Sequence, residues 1–108
     1  MLFRFIKKVF FPTRKPLVIA HRGASSAEPE NTLRAFKAAY KADADGIELD
    51  VVHSKDKKVV VTHDANVKRL TGTDQDVDKL TYAELSQLDF GKGERIPLLE
   101  DVFDHFVN

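Results

Sequence analysis

At 108 residues the chain holds one small domain or a piece of a larger one. Its 43% hydrophobic and 31% charged content excludes a disordered chain, and the absence of cysteine excludes disulfides and thiolate metal sites. The formal net charge of zero hides an asymmetry: of the 17 basic residues, five (Arg4, Lys7, Lys8, Arg14, Lys15) lie in residues 1–16 with no acid, leaving 12 against 17 acidic residues in the rest, which excludes a basic nucleic-acid-binding surface.

The leader, MLFRFIKKVFFPTRKP, contains four of the eight phenylalanines. Leu2, Phe5, Ile6 and Val9 follow helical spacing, interrupted by Arg4, Lys7 and Lys8. No apolar run approaches the roughly 18 residues that a membrane span needs. A secretory signal fits poorly, because lysines break the stretch and no small-residue cleavage site follows. Besides a disordered leader, two readings of residues 1–11 stay open. One is a helix lying in a membrane interface, its bulky apolar groups inserted and its cations on anionic lipid; the other is a helix packed on the body of the protein. The chain is read as cytoplasmic, with this basic amphipathic leader as its candidate contact to a membrane surface.

Pro12 and Pro16 separate the leader from Leu17–Ala20 (LVIA), a continuous apolar run of the kind that suits a strand buried on both faces. It ends at His21-Arg22-Gly23, and a polar loop runs on to Pro29. The spacing predicts a helix from Asn31 or Thr32, with Asn31 preferred as the cap. Leu33, Phe36 and Tyr40 form its core-facing stripe, and Arg34, Lys37 and Lys41 face solvent. Gly46–Val52 (GIELDVV) alternates, placing Ile47, Leu49 and Val51 on one face and Glu48 and Asp50 on the other. Lys57–Thr62 (KKVVVT) is a further strand, ending at His63-Asp64.

Strand, helix, strand in that order reads as α/β. The link from Asp50 to Val59 is too short for a helical crossover, so local rules predict a hairpin turning between Lys55 and Asp56, with Glu48 opposite His63 and Asp50 opposite Val61. A parallel arrangement would bring the same polar groups together at the strand ends. Residues 65–95 are polar and turn-rich, with one short helix from Thr81, where Thr81 and Glu84 make a capping box and Leu85 and Leu88 face inward. Phe90–Gly93 is a turn. A last helix after Pro97 presents Leu98, Leu99, Val102, Phe103 and Phe106 on one face.

Three apolar strands thus end in, or carry, groups of catalytic type: His21-Arg22, Glu48/Asp50 and His63-Asp64. Burying charge costs several kcal/mol unless it is paired or bound to metal, and the carboxyl ends of strands are where α/β active sites are built. Glu48 and Asp50 project from one strand face about 7 Å apart, a spacing at which two carboxylates share one divalent cation such as Mg²⁺ or Ca²⁺. The alternative is two acids on a solvated face. His21 and His63 are candidates for general acid and base, since imidazole ordinarily titrates near neutrality. Arg22 suits bidentate binding of a phosphate; its alternative role is a salt bridge with Glu30 or Glu48. Gly23 allows the close backbone approach an anion-binding turn needs. His53 and His105 read as turn and helix-surface residues without a role.

The segments HRGASSAEPENT (21–32), GIELDV (46–51) and VVVTHD (59–64), in that order and spacing, resemble the signature of the glycerophosphodiester phosphodiesterase family, and IPLLEDVF (96–103) is similar to a later family segment. The resemblance covers nearly everything after residue 16. It implies a TIM-type (β/α) barrel and hydrolysis of a small-molecule glycerophosphodiester to sn-glycerol 3-phosphate and an alcohol. It also implies His21 and His63 as the acid/base pair, Arg22 as the phosphate ligand, and Glu48 and Asp50 as ligands of a divalent metal ion. A related barrel phospholipase acting on sphingolipid or lysolipid shares the His and Glu-x-Asp elements, and the HRGA…PENT pattern disfavours it.

Such barrels need about 250 residues. Residues 17–108 are therefore expected to be the N-terminal part of an incomplete, truncated barrel, lacking a further acidic metal ligand and inactive alone. The competing expectation is a non-catalytic remnant, or half of a split barrel completed by a partner chain or an oligomer.

Overall fold

Within residues 2–4 and 16–106, which the computed structural model describes, the sheet is organised around one strand–helix–strand unit. Strand β2 (Ile19–His21) leads through the polar loop into helix α1 (Leu33–Lys41), which returns to β3 (Gly46–Glu48). The two strands pair in parallel, Ile19 with Gly46, Ala20 with Ile47 and His21 with Glu48. Strand β1 (Leu2–Arg4) pairs antiparallel with the other edge of β3. Residues 2–4 are thus strand where helical spacing was expected, and the remainder of the expected leader helix lies outside the described residues. No described helix is long and apolar enough to cross a membrane.

Thr32, and not Asn31, caps α1: its side chain accepts from the Ala35 amide while donating to the Pro29 carbonyl. Asn31 takes a left-handed backbone (φ 56°) and turns its side chain elsewhere. The helix buries Ala35, Phe36 and Ala39. Tyr40 is exposed instead of buried, resting at the edge of the core where its ring tilts against Phe106. Arg34, Lys37 and Lys41 face solvent as expected.

The expected single strand over 46–52 divides. After β3 the chain passes Leu49 and Asp50 and continues as β4 (Val51–His53), which forms an antiparallel hairpin with β5 (Val59–Val61). Alternation survives the break, since Ile47, Leu49 and Val51 all pack into one core. The register differs by one residue from the expected one: Val51 faces Val61, and the Thr62 amide donates to the Asp50 carbonyl. The hairpin has a three-residue loop centred on Asp56, with Lys57 left-handed (φ 64°) and Ser54 bonded through both backbone and side chain to Lys58.

Adjacent residues of the hairpin serve two cores, as a period of two dictates. Val61 and Val51 pack with Phe36, Ile47, Leu49 and Val102, whereas Val60 and Val52 pack with Val67, Leu85, Phe90 and Ile96. The second core is closed by α2 (Lys68–Thr71), a 3-10 turn (Val77–Lys79) and α3 (Tyr82–Leu85). α3 carries the Thr81–Glu84 capping box and buries Leu85. α2 and the 3-10 turn are too short to leave a periodic signal and were not expected. Finally α4 (Leu99–Phe106) places Val102, Leu99 and Phe106 on the first core.

Leu17 and Val18, expected to be buried on both faces, are 48% and 63% exposed. The reason is topological: among the described strands β2 lies at the edge of its sheet.

Candidate active site

The parallel register puts His21 directly beside Glu48, where β2 and β3 both end. His21 Nε2 lies 3.6 Å from Glu48 Oε2, on a side chain that is itself largely exposed. Immediately beyond, Arg22 adopts a left-handed backbone (φ 57°), a conformation that is costly for a bulky residue and recurs where function imposes it. Its amide donates to the Glu48 carbonyl at 2.8 Å, and its carbonyl accepts from the Asn31 amide at 2.9 Å. The sharp turn this makes depends on Gly23 (φ 79°), where a Cβ would stand 2.8 Å from the carbonyl carbon of Ala35.

The Arg22 guanidinium reaches between two acids. Nη1 donates to Glu30 Oε2 at 3.1 Å, and Nε lies 3.3 Å from Asp50 Oδ2. That Nε is buried and its approach to Asp50 lacks hydrogen-bond geometry, so one donor at the centre of the site is unspent. The salt bridge to Glu30 weighed from sequence is therefore present, and the one to Glu48 is replaced by Asp50.

Asp50 sits in the break between β3 and β4. Its Oδ2 accepts from the Asn31 side-chain amide at 3.1 Å, and Asn31 Oδ1 accepts from the Asp50 amide at 3.4 Å. Asn31 is 2% exposed. Burial pushes the Asp50 pKa up, but Asn31, His63 and Arg22 outweigh it and hold the carboxyl below the ordinary aspartate range. The Glu48 side chain adds to the groups that hold Asp50 low.

His63, at the end of β5, joins through two routes: its Nδ1 lies 2.8 Å from Asp64 Oδ1, and its ring is near enough to Asp50 to help hold that carboxyl low when it is protonated. Arg69 Nε donates to Asp64 Oδ2 at 2.8 Å, and Arg69 Nη2 donates to Glu30 Oε1 at 2.5 Å. These bonds, from Arg69 first and His63 second, lower the Asp64 pKa to about 2. Glu30 is raised by burial and lowered more by Arg69 and Arg22, with a net downward result. His21, Arg22, Glu48, Asp50 and His63 are thus gathered at one end of the strands. Asp64, Arg69 and Asn31 belong to the same network. Asp64 was visible only as a neighbour of His63, Asn31 could be placed near the site by its PENT segment but was preferred as the cap, and Arg69 gave no signal.

Glu48 and Asp50 fit a divalent cation in donor chemistry, being two hard, mutually repelling oxygen donors. They supply only part of the six or more oxygens that Mg²⁺ or Ca²⁺ takes. No cluster of three or more His, Asp or Glu side chains suited to a metal occurs among the described residues.

A strand–helix–strand unit with its ionisable groups collected at the carboxyl ends of parallel strands defines the class, an α/β protein with a barrel-type site. The chain belongs to the glycerophosphoryl diester phosphodiesterase family, whose sequence profile matches residues 21–108. It is 50% identical over 97 residues to the glycerophosphodiester phosphodiesterase of Caldanaerobacter subterraneus subsp. tengcongensis, covering 83% of this chain and 40% of that protein. It is 43% identical over 103 residues to lysophospholipase D GDPD1 of Homo sapiens, covering 83% of this chain and 33% of that one. A solved phosphodiesterase of Oleispira antarctica, in complex with the product sn-glycerol-3-phosphate, matches with a TM-score of 0.81 at 37% identity, over 85% of this chain and 40% of its own. The fold is that of the N-terminal part of a TIM-type barrel, and the chain spans 40% or less of the length of these relatives.

Proposed function

We propose that the chain carries the acid–base and phosphate-binding part of a site that hydrolyses a glycerophosphodiester to sn-glycerol 3-phosphate and an alcohol. The observation that carries this reading is the convergence of His21, Arg22, Glu48 and Asp50 at the ends of β2 and β3, with His63 acting on Asp50 from β5. Arg22 holds the phosphate, its guanidinium charge standing between Glu30 and Asp50 at the end of β2. His21 and His63 divide the proton work: one withdraws a proton from the attacking oxygen and the other donates one to the departing alcohol. Glu48 and Asp50 would hold a divalent cation, Mg²⁺ or Ca²⁺, whose charge when bound neutralises the phosphate and favours attack on it. Asn31 fixes the Asp50 carboxylate for that purpose.

The test is release of glycerol 3-phosphate from glycerophosphocholine, with Mg²⁺, with Ca²⁺ and with EDTA. It is run on the purified chain alone and together with a polypeptide supplying the remaining length of the Caldanaerobacter relative. Metal-dependent release is expected from the combined preparation, abolished by Glu48→Ala and reduced by roughly two to four orders of magnitude by His21→Ala or His63→Ala. No release in either preparation sinks the enzymatic reading, and a loss of only a few-fold on changing either histidine sinks its assigned role.

A second reading draws on the exposed Leu17 and Val18 at the open edge of β2. In it the chain alone is a non-catalytic module. Its sheet edge joins a barrel-completing chain or a second copy, while residues 1–11 touch a membrane surface. Absence of turnover together with binding to anionic phospholipid vesicles favours this reading; failure to cosediment with such vesicles removes its membrane part.

A further inference from the structure

Arg69, on α2, stands behind the site and holds two of its acids at once. Each of those acids spends its second oxygen on a group of the site. Asp64 Oδ2 accepts from Arg69 Nε, and Asp64 Oδ1 meets His63 Nδ1. Glu30 Oε1 accepts from Arg69 Nη2, and Glu30 Oε2 accepts from Arg22 Nη1. One guanidinium therefore ties the loop after β5, where His63 lies, to the loop after β2, where Arg22 lies. Its two partners are 5 and 39 residues away in sequence.

We propose that Arg69 is a positioning residue that locks His63 in its Nδ1–H tautomer, leaving Nε2 as the ring atom presented to the substrate. The chemical meaning of Nε2 rests on the acid–base reading given to His63 above; the tautomer itself does not.

An ionised carboxylate only accepts, so the hydrogen bond at His63 Nδ1 requires the proton on Nδ1, and the neutral ring then has its lone pair on Nε2. Asp64 by itself is a weak lock, since its side chain is 27% exposed and water competes for both oxygens. The Arg69 bond to the second oxygen removes that freedom by fixing the carboxylate plane. An isolated exposed ion pair contributes little, and Arg69 is about half exposed. The planar fork changes this because it satisfies two carboxylates in one geometry, and a lysine, a point charge on a flexible stem, does not reproduce it. Both carboxylates are already ionised in this arrangement, held low by their arginine partners, so the lock is set across the neutral pH range.

The test uses the whole chain, ¹⁵N-labelled and metal-free, at about pH 8.5, where imidazole is ordinarily neutral. Long-range ¹H–¹⁵N correlations through the ring protons report which nitrogen carries the proton. The expected result is a single Nδ1–H form of His63 in the native chain. A mixture of the two tautomers is expected in Arg69→Ala, approaching the released ring of Asp64→Ala, with His53 and His105 unchanged. Arg69→Lys should resemble Arg69→Ala, and it supplies the same reading if the alanine variant does not fold. An unchanged Nδ1–H form in the Arg69 variants overturns the proposal, as does a native His63 protonated on Nε2. Because no substrate is involved, a failed phosphodiesterase assay leaves this result standing, and a failed tautomer result leaves the assay standing.

Discussion

Asp64 is held at a pKa of about 2, first by the hydrogen bond from Arg69 and next by that from His63, against a burial that acts upward. An aspartate in an unfolded chain titrates near 3.9, so its folded value is depressed. The stability it contributes is complete above about pH 4 and is lost as pH falls through about 2. Urea unfolding between about pH 2 and 6 should therefore show the native chain losing stability across that window. Asp64→Asn should show a shallower loss, with the residual slope left to the other lowered carboxyls, Glu28, Glu30, Asp50, Asp56 and Glu84. Identical slopes for the two proteins would show that Asp64 is not held in this way. At this scale the sequence disclosed residues whose type alone suggests chemistry: the two histidines, Arg22 and the Glu48/Asp50 pair. It hid those whose role is set by backbone conformation. Asn31 and Thr32 are both good capping types, and only the left-handed φ of Asn31 turns its amide to Asp50 and leaves the cap to Thr32. Arg69 is one arginine among many exposed basic residues until Asp64 and Glu30 are seen on either side of it.

The loop between β2 and α1 shows how an element fixes the site. Gly23 and Gly72 share a φ of +79°, yet a Cβ on Gly72 would meet nothing within 4 Å whereas one on Gly23 would meet Ala35 at 2.8 Å. Gly72→Ala therefore bears only the conformational cost, more than about 1 kcal/mol. Gly23→Ala adds a backbone clash that pushes the loop off α1, where the Ala24 amide donates to the Ala35 carbonyl. The urea midpoint of Gly23→Ala should fall well below that of Gly72→Ala; equal midpoints would mean that the loop yields freely. Elements whose signals are local were legible: the Thr81–Glu84 box starts α3 where its spacing says, and the alternation of Ile47, Leu49 and Val51 holds through a break in the strand. The hairpin register was not. A two-residue turn was expected from the polar stretch 54–57, and the chain uses three loop residues with Lys57 left-handed, a position that glycine would have advertised. One extra loop residue slides the opposing strand by one, which is why Asp50 lies across from Thr62 and not Val61.

On the scale of the whole molecule, among the described strands β3 has a neighbour on each side and β2 has one. The apolar run from Leu17 to Ala20 has the composition of a strand covered on both faces, yet Leu17 and Val18 are 48% and 63% exposed at that edge. An incomplete barrel is expected from its length to leave a sheet edge uncovered, but which run lies there was not legible, because an apolar run states that it will be covered without stating by what. The family was legible for the opposite reason: HRGA, PENT, GIELD and VTHD are short, local and ordered, and they survive in a chain spanning 40% of the Caldanaerobacter relative's length. An open strand edge flanked by large apolar side chains recruits another strand unless charge blocks it. The purified chain should accordingly show concentration-dependent association in sedimentation velocity, and Leu17→Lys combined with Val18→Lys should abolish it while leaving the fold intact by circular dichroism. The same double variant should fail to bind the polypeptide that supplies the relatives' remaining length. If native and variant chains both sediment as one monomer at every concentration, and both bind that polypeptide equally, the β2 edge is not the joining surface. The two exposed side chains are then ordinary surface residues, and the second reading of function loses its structural support.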